Sequence, residues 1–141
     1  MAVRKSHAVW NGGLVDGNGT VKLGSGAYEG SYSFSSRFED GGGTNPEELL
    51  GAAHAGCFAM ALAAGLGKAG FQPKRVAATA AVHLTKDDKG FLISRIDLVC
   101  DAEVPGIDAA AFAEHAESTK KNCIVSRALA AVPMNLEARL V

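Results

Sequence analysis

The chain has 141 residues, with 14 Lys+Arg against 15 Asp+Glu and a formal net charge of -1. That length predicts one domain over residues 1–141, long enough to bury a core. The balanced charge excludes the electrostatic footprint of a nucleic-acid or acidic-lipid partner.

Met1 to Trp10 lacks a long apolar run and a small-residue cleavage site, so no export signal is expected. Three cysteines make an odd count. Without export they should be reduced, which predicts a cytoplasmic protein with free, catalytic or metal-binding thiols rather than a disulfide framework.

His7 to Asn11 is the first predicted strand. Asp16-Gly17 and Asn18-Gly19 read as hairpin-turn dipeptides, and Thr20 to Leu23 as the returning strand. The sequon Asn18-Gly19-Thr20 therefore reads as a turn. Tyr28 to Phe34 alternates around aromatics and predicts a third strand. Asp40 to Gly43 forms a loop leading into the central helix, and Arg37 reads as a solvated loop charge.

From Leu49 to Gly67 no Asp, Glu, Lys or Arg occurs. Length alone allows a membrane span. Ala and Gly dominate, His54 interrupts, and no aromatic belt or basic flank frames the run. A central core helix is the better reading. Asn45 is a good N-cap, Pro46 suits the first helical position, and Glu48 stands where a capping box reaches back to the Asn45 amide. Glu47 has no such local duty. The helix should end near Gly65 and Gly67, with Gly70 closing the turn. Gly51, Ala55, Ala59 and Ala63 form a small-residue stripe that admits a second helix.

Val76 to Thr85 and Phe91 to Val104 predict two long strands around a polar turn. Asp108 caps a helix running to about Lys120, and a short helix from Val125 to Ala131 stops before Pro133. Met134 to Leu140 alternates and predicts the last strand. The fold class is α+β.

Gly65-Leu-Gly67-Lys-Ala-Gly70 satisfies G-x-G-x-x-G but follows a helix, so it lacks the dinucleotide context. Ala69 stands where a Walker A loop needs Ser or Thr. Cys100 lies in a strand with core neighbours and reads as packing. Cys57 lies mid-helix, where burial alone makes a thiol inert unless a cation reaches it. Cys123 lies between two helices, where the second helix's amides favour thiolate.

The segments "SRFED", "TNPEELLGAAHAGCF" and "NCIVSRAL" resemble the OsmC/Ohr family of peroxide-reducing proteins, more closely its osmotically inducible branch. "AVWNGGLVDGNGTV", "GFQP" and "VPGIDAAAF" extend the resemblance over nearly the whole chain. It implies a thiol peroxidase with antiparallel sheets wrapped around a central helix in an intertwined homodimer. Cys57 takes the position of the peroxidatic cysteine and Cys123 that of the resolving cysteine. Arg37 and Glu47 match the arginine and glutamate that frame the thiol. The family often has proline after the second cysteine, and Ile124 here should loosen that helix start.

The implied chemistry is attack of a Cys57 thiolate on an organic hydroperoxide, or less well on hydrogen peroxide. It leaves a sulfenic acid that Cys123 converts to a disulfide. Arg37 would stabilise the thiolate, and Glu47 would orient the guanidinium through a bidentate pair. Phe58 and Met60 suggest an apolar pocket around Cys57. An external dithiol, lipoyl-type by family, would close the cycle. No metal or organic cofactor is needed.

Glu47 and Cys57 stand ten residues apart, about 15 Å along a continuous helix. Either the regular helix begins after Glu47, or a partner chain supplies it. The small-residue stripe favours the second and predicts a twofold dimer with sites at the interface. Two alternatives remain: a metal site from His54, Cys57 and Cys123, and a non-catalytic dimeric binding protein on the same fold.

Overall fold

A computed structural model describes residues 1–141. The chain divides into two compact units, Met1–Leu49 and Leu50–Val141.

The first unit holds an antiparallel sheet, β1 (Ser6–Asn11), β2 (Asn18–Leu23) and β3 (Glu29–Tyr32), in the order β1-β2-β3. Asn18 and Gly19 are strand residues paired with Asn11 and Trp10, not turn residues. The connection is Gly12 to Gly17, and Gly12 takes a positive φ of 88°. A Cβ at Gly19 would collide with the Tyr32 and Trp10 rings, so glycine serves ring packing there.

The third strand is shorter than its alternation predicts. Ser33 and Ser36 form a reciprocal capping box that turns the chain into a short helix, α1 (Phe34–Phe38). Arg37 therefore sits on a helix, not in a loop.

The long helix α2 runs from Pro46 to Lys68. Asn45 Oδ1 accepts from the Glu48 amide at 2.7 Å, so the predicted cap forms. The Glu48 carboxylate, however, accepts from the Thr44 hydroxyl at 2.7 Å instead of the Asn45 amide. At the other end, the Phe71 amide bonds Leu66 O and the Gly70 amide bonds Gly67 O. With Gly70 at φ 93° this is a Schellman motif.

The second unit contains β4 (Arg75–Asp87), β5 (Gly90–Glu103), α3 (Ala109–Asn122), α4 (Ile124–Ala128) and β6 (Met134–Leu140). β4 and β5 form the predicted hairpin. β6 pairs parallel to β5, a geometry that needs a crossover, here α3 and α4. α4 ends three residues earlier than expected.

The core lies in this unit. Phe58, Leu62 and Leu66 from α2 meet Ile96, Leu98, Cys100 and Ala102 from β5 and Phe112 from α3. His54, Phe58, Leu62 and Leu66 follow the spacing of one helix face. The opposite face, with Ala52, Ala53, Gly56, Met60 and Ala64, is exposed. α2 is therefore apolar all round but covered by its own chain on one side only. By length and composition it could cross a membrane.

Candidate functional site

In the first unit, α1 and the first turn of α2 bring Arg37 and Glu47 together. Arg37 Nη2 donates to Glu47 Oε1 at 2.8 Å, and Nε donates to Oε1 and Oε2 at 3.2 and 3.3 Å. Glu47 is buried and Arg37 half-exposed. A planar guanidinium held at two edges has little freedom to rotate. Two further bonds fix the pair. Asn45 Nδ2 donates to Ser36 O at 3.0 Å, and Ser36 Oγ donates to Thr44 O at 2.7 Å. The capping-box serine thus ties α1 to the start of α2.

Arg37 also stands 5.2 Å from the Phe38 ring centroid. It borders a cavity of about 220 Å³ lined by Trp10, Leu14, Tyr32, Ser33, Phe34 and Phe38. This cavity offers apolar walls and one guanidinium. A larger cavity of about 630 Å³, formed by Val3–Ser6 and Leu23–Ser25, contains none of the predicted site residues.

The regular helix starts before Glu47, at Pro46. That excludes the first way of relating Glu47 to Cys57.

In the second unit, the Val125 amide donates to Cys57 Sγ at 3.5 Å. Val125 is the second residue of α4, and Cys123 is that helix's N-cap. α4 therefore brings Cys123 into the neighbourhood of Cys57, at a sequence separation of 68 between Val125 and the cysteine it touches. Cys57 is partly exposed, Cys123 is buried, and both are free thiols.

Cys123 caps α4 through sulfur, accepting from the Ser126 amide at 3.3 Å. Its thiol donates to Ser126 Oγ at 3.1 Å. Ile124 occupies the first helical position, where proline is favoured, with an exposed side chain. The helix starts regardless. The α4 amides thus serve both sulfurs, Ser126 N on Cys123 and Val125 N on Cys57.

Some expected neighbours are elsewhere. Phe58 is fully buried in the core, and Met60 points outward at 76% exposure. Neither follows from adjacency in sequence, because successive helix residues face different ways. Cys100 is fully buried, and burial followed by the Asp101 charge pushes its pKa up to about 11.

Sequence reasoning missed Ser126. His54 Nε2 lies 2.7 Å from Ser126 Oγ, and burial lowers the imidazole pKa. No group of three His, Cys, Asp or Glu side chains is arranged to hold a metal ion. His54 is spoken for by Ser126.

Comparison with known proteins agrees in sequence and fold. The family model described as OsmC-like protein matches residues 39–137. The chain is 48% identical to Peroxiredoxin OsmC of Escherichia coli (strain K12) over 129 residues, 91% of this chain and 90% of that protein. Its fold is similar to the organic hydroperoxide resistance protein OhrB of Bacillus subtilis, with a TM-score of 0.75 at 23% identity, covering 96% of this chain and 98% of that one. It is also similar to an organic hydroperoxide resistance protein OsmC from Legionella pneumophila, with a TM-score of 0.72 at 24% identity over 98% of both chains. The family model covers more than half of the chain and the relative is 48% identical, and the chain belongs to the OsmC family.

Proposed function

We propose that the protein is a thiol peroxidase that reduces organic hydroperoxides with Cys57 and forms a Cys57–Cys123 disulfide. The observation that carries this reading is the Val125 amide on Cys57 Sγ, because α4, whose N-cap is the free thiol Cys123, is thereby in contact with Cys57. The 48% identity to a peroxiredoxin supports the same chemistry.

The thiolate of Cys57 attacks one peroxide oxygen, the O–O bond breaks, and the other oxygen leaves as alkoxide, which takes a proton from solvent to give the alcohol, as Cys57 becomes a sulfenic acid. The Val125 amide supplies a neutral donor to sulfur. A cation is still required for the charge on the departing oxygen. Arg37, held by Glu47, is the candidate. Cys123 then attacks the sulfenic sulfur to give disulfide and water, and an external dithiol, of lipoyl type by family resemblance, restores both thiols. The apolar cavity beside Arg37 suits the alkyl part of an organic hydroperoxide.

In this reading the Arg37–Glu47 pair of one chain serves Cys57 of a second copy. α2 is continuous from Pro46, and ten residues at 1.5 Å each separate Glu47 from Cys57 by about 15 Å along its axis. A second copy would also cover the exposed apolar face of α2. The sheets would then wrap around paired central helices in a homodimer. Three free thiols suit a reducing cytoplasm. No metal or organic cofactor enters this scheme.

The test is hydroperoxide consumption with a dithiol by wild type, Cys57→Ser, Arg37→Ala, and a mixture of Cys57→Ser and Arg37→Ala chains. Both single variants should be inactive. The mixture should regain activity, because a mixed dimer holds one intact site. Turnover by Cys57→Ser would sink the peroxidase reading, and a mixture that stays inactive would sink the shared site.

A further inference from the structure

His54 is a buried titratable side chain that the proposed chemistry leaves without a task. It sits one turn before Cys57 on α2 and is fully buried. Its Nε2 lies 2.7 Å from Ser126 Oγ, and the Cys123 thiol donates to that same oxygen at 3.1 Å. A hydroxyl accepts from one partner while donating its own proton to another. With the thiol donating to it, Ser126 can donate to Nε2 of an imidazole that carries its proton on Nδ1. Thiol, hydroxyl and imidazole then stand in a row.

Packing alone does not explain this row. His54 Nδ1 is buried with no hydrogen-bond partner, a costly arrangement for a polar atom. An apolar side chain would fill the same place beside Phe58 at lower cost.

We propose that Ser126 and His54 form a proton relay that activates Cys123 for the disulfide-forming step. Ser126 touches the reacting sulfur and is the catalytic residue. His54 acts through Ser126 and is a positioning residue and proton acceptor. This inference rests on the peroxidase reading.

As the Cys123 sulfur attacks Cys57, the S–S bond forms and the S–O bond of the sulfenic acid breaks. The Cys123 proton passes to Ser126 Oγ while the Ser126 proton passes to His54 Nε2. The leaving hydroxide takes up the proton that His54 received, returned through Ser126, and departs as water while His54 regains its neutral form. Cys57–SOH and Cys123–SH thus give disulfide and water with no other reagent. Burial lowers the pKa of His54, with no charged side chain contributing, which keeps its ring neutral and Nε2 open at neutral pH. The other titratable groups in the cluster are Cys57 and Cys123.

The test is rapid mixing of fully reduced protein with one equivalent of cumene hydroperoxide. A sulfenic-acid trap reads the first step and quenched mass spectrometry reads the disulfide. In Ser126→Ala and His54→Gln, sulfenic acid should form at the wild-type rate to within about twofold. Disulfide formation should slow by about tenfold or more at neutral pH, at the low end of general acid–base effects. The deficit should shrink as pH rises, because hydroxide in solvent then removes the thiol proton without the relay. Ser126→Thr, which keeps the hydroxyl, should restore the rate. Alanine is favoured in helices, so the Ser126→Ala arm stands even if His54→Gln fails to fold.

Unchanged disulfide formation, or slowing by one constant factor at every pH, would overturn the relay. A wild-type protein that consumes no hydroperoxide would instead overturn the peroxidase reading, and the relay with it.

Discussion

The two units of this chain are held by different forces. Every buried apolar side chain of the core, from Phe58 to Phe112, belongs to Leu50–Val141. In Met1–Leu49 the buried side chains are Ser36, Thr44 and Glu47. One unit is organised by burial of hydrocarbon and the other by hydrogen bonds around an ion pair. The first should be sensitive to lost volume, and the second to lost polar partners. The proposed chemistry would draw on both, with the thiols from the apolar unit of one copy and the guanidinium from the polar unit of a second.

Substitutions should separate the two. The largest effect belongs to Cys57→Ser, which should remove hydroperoxide consumption entirely while leaving the thermal midpoint near wild type. Next comes the core. Phe58→Ala should cost about 3–5 kcal/mol, as large-to-small changes at fully buried aromatics do, read by denaturant unfolding. A cost under about 1 kcal/mol would mean that the apolar unit is not the stabilising one.

Glu47→Gln probes the polar unit. It removes the charge that holds Arg37 at two edges. It should lower kcat/KM by about 10²-fold, an oxyanion-donor-sized loss, while costing about 1–3 kcal/mol of stability. Equal losses of activity and stability in Phe58→Ala and Glu47→Gln would erase the distinction between the units.

The smallest effect concerns pH. The Asp97 carboxyl on β5 is held below its ordinary value, first by the Asn135 amide, then by His83 and Arg95. Asn135 lies opposite Asp97 in the parallel β5–β6 pairing. A carboxyl depressed in the folded state contributes stability above its ordinary value of 3.8, and that contribution is lost as pH falls below it. Asn135→Ala should therefore lower the unfolding midpoint slightly at pH 7. The gap to wild type should close on acidification below about pH 4.

Much of this was legible in the sequence because local rules and global fold agree there. Asn45, Pro46 and Gly70 mark the bounds of α2, and the polar turn at residues 86–90 marks the β4–β5 hairpin. The misses have physical causes. The Ser33–Ser36 capping box is a weaker signal than one with glutamate, so α1 read as the end of a strand. A helix that is apolar all round hides its own phase, so Phe58 and Met60 could not be assigned to opposite faces. The parallel β5–β6 pairing and the His54–Ser126 bond join residues far apart in sequence, and neither leaves a local pattern. The alignment of Arg37 with Glu47 came only from family resemblance, since ten residues of spacing specify no contact.

The central claim is that Cys57 and Cys123 are one redox pair while Cys100, with its pKa near 11, is inert. Its most direct test is to treat the reduced protein with one equivalent of organic hydroperoxide and map the thiols by peptide mass spectrometry. A Cys57–Cys123 disulfide with Cys100 still free is the predicted result. Three unchanged thiols, or a bond that includes Cys100, would contradict it.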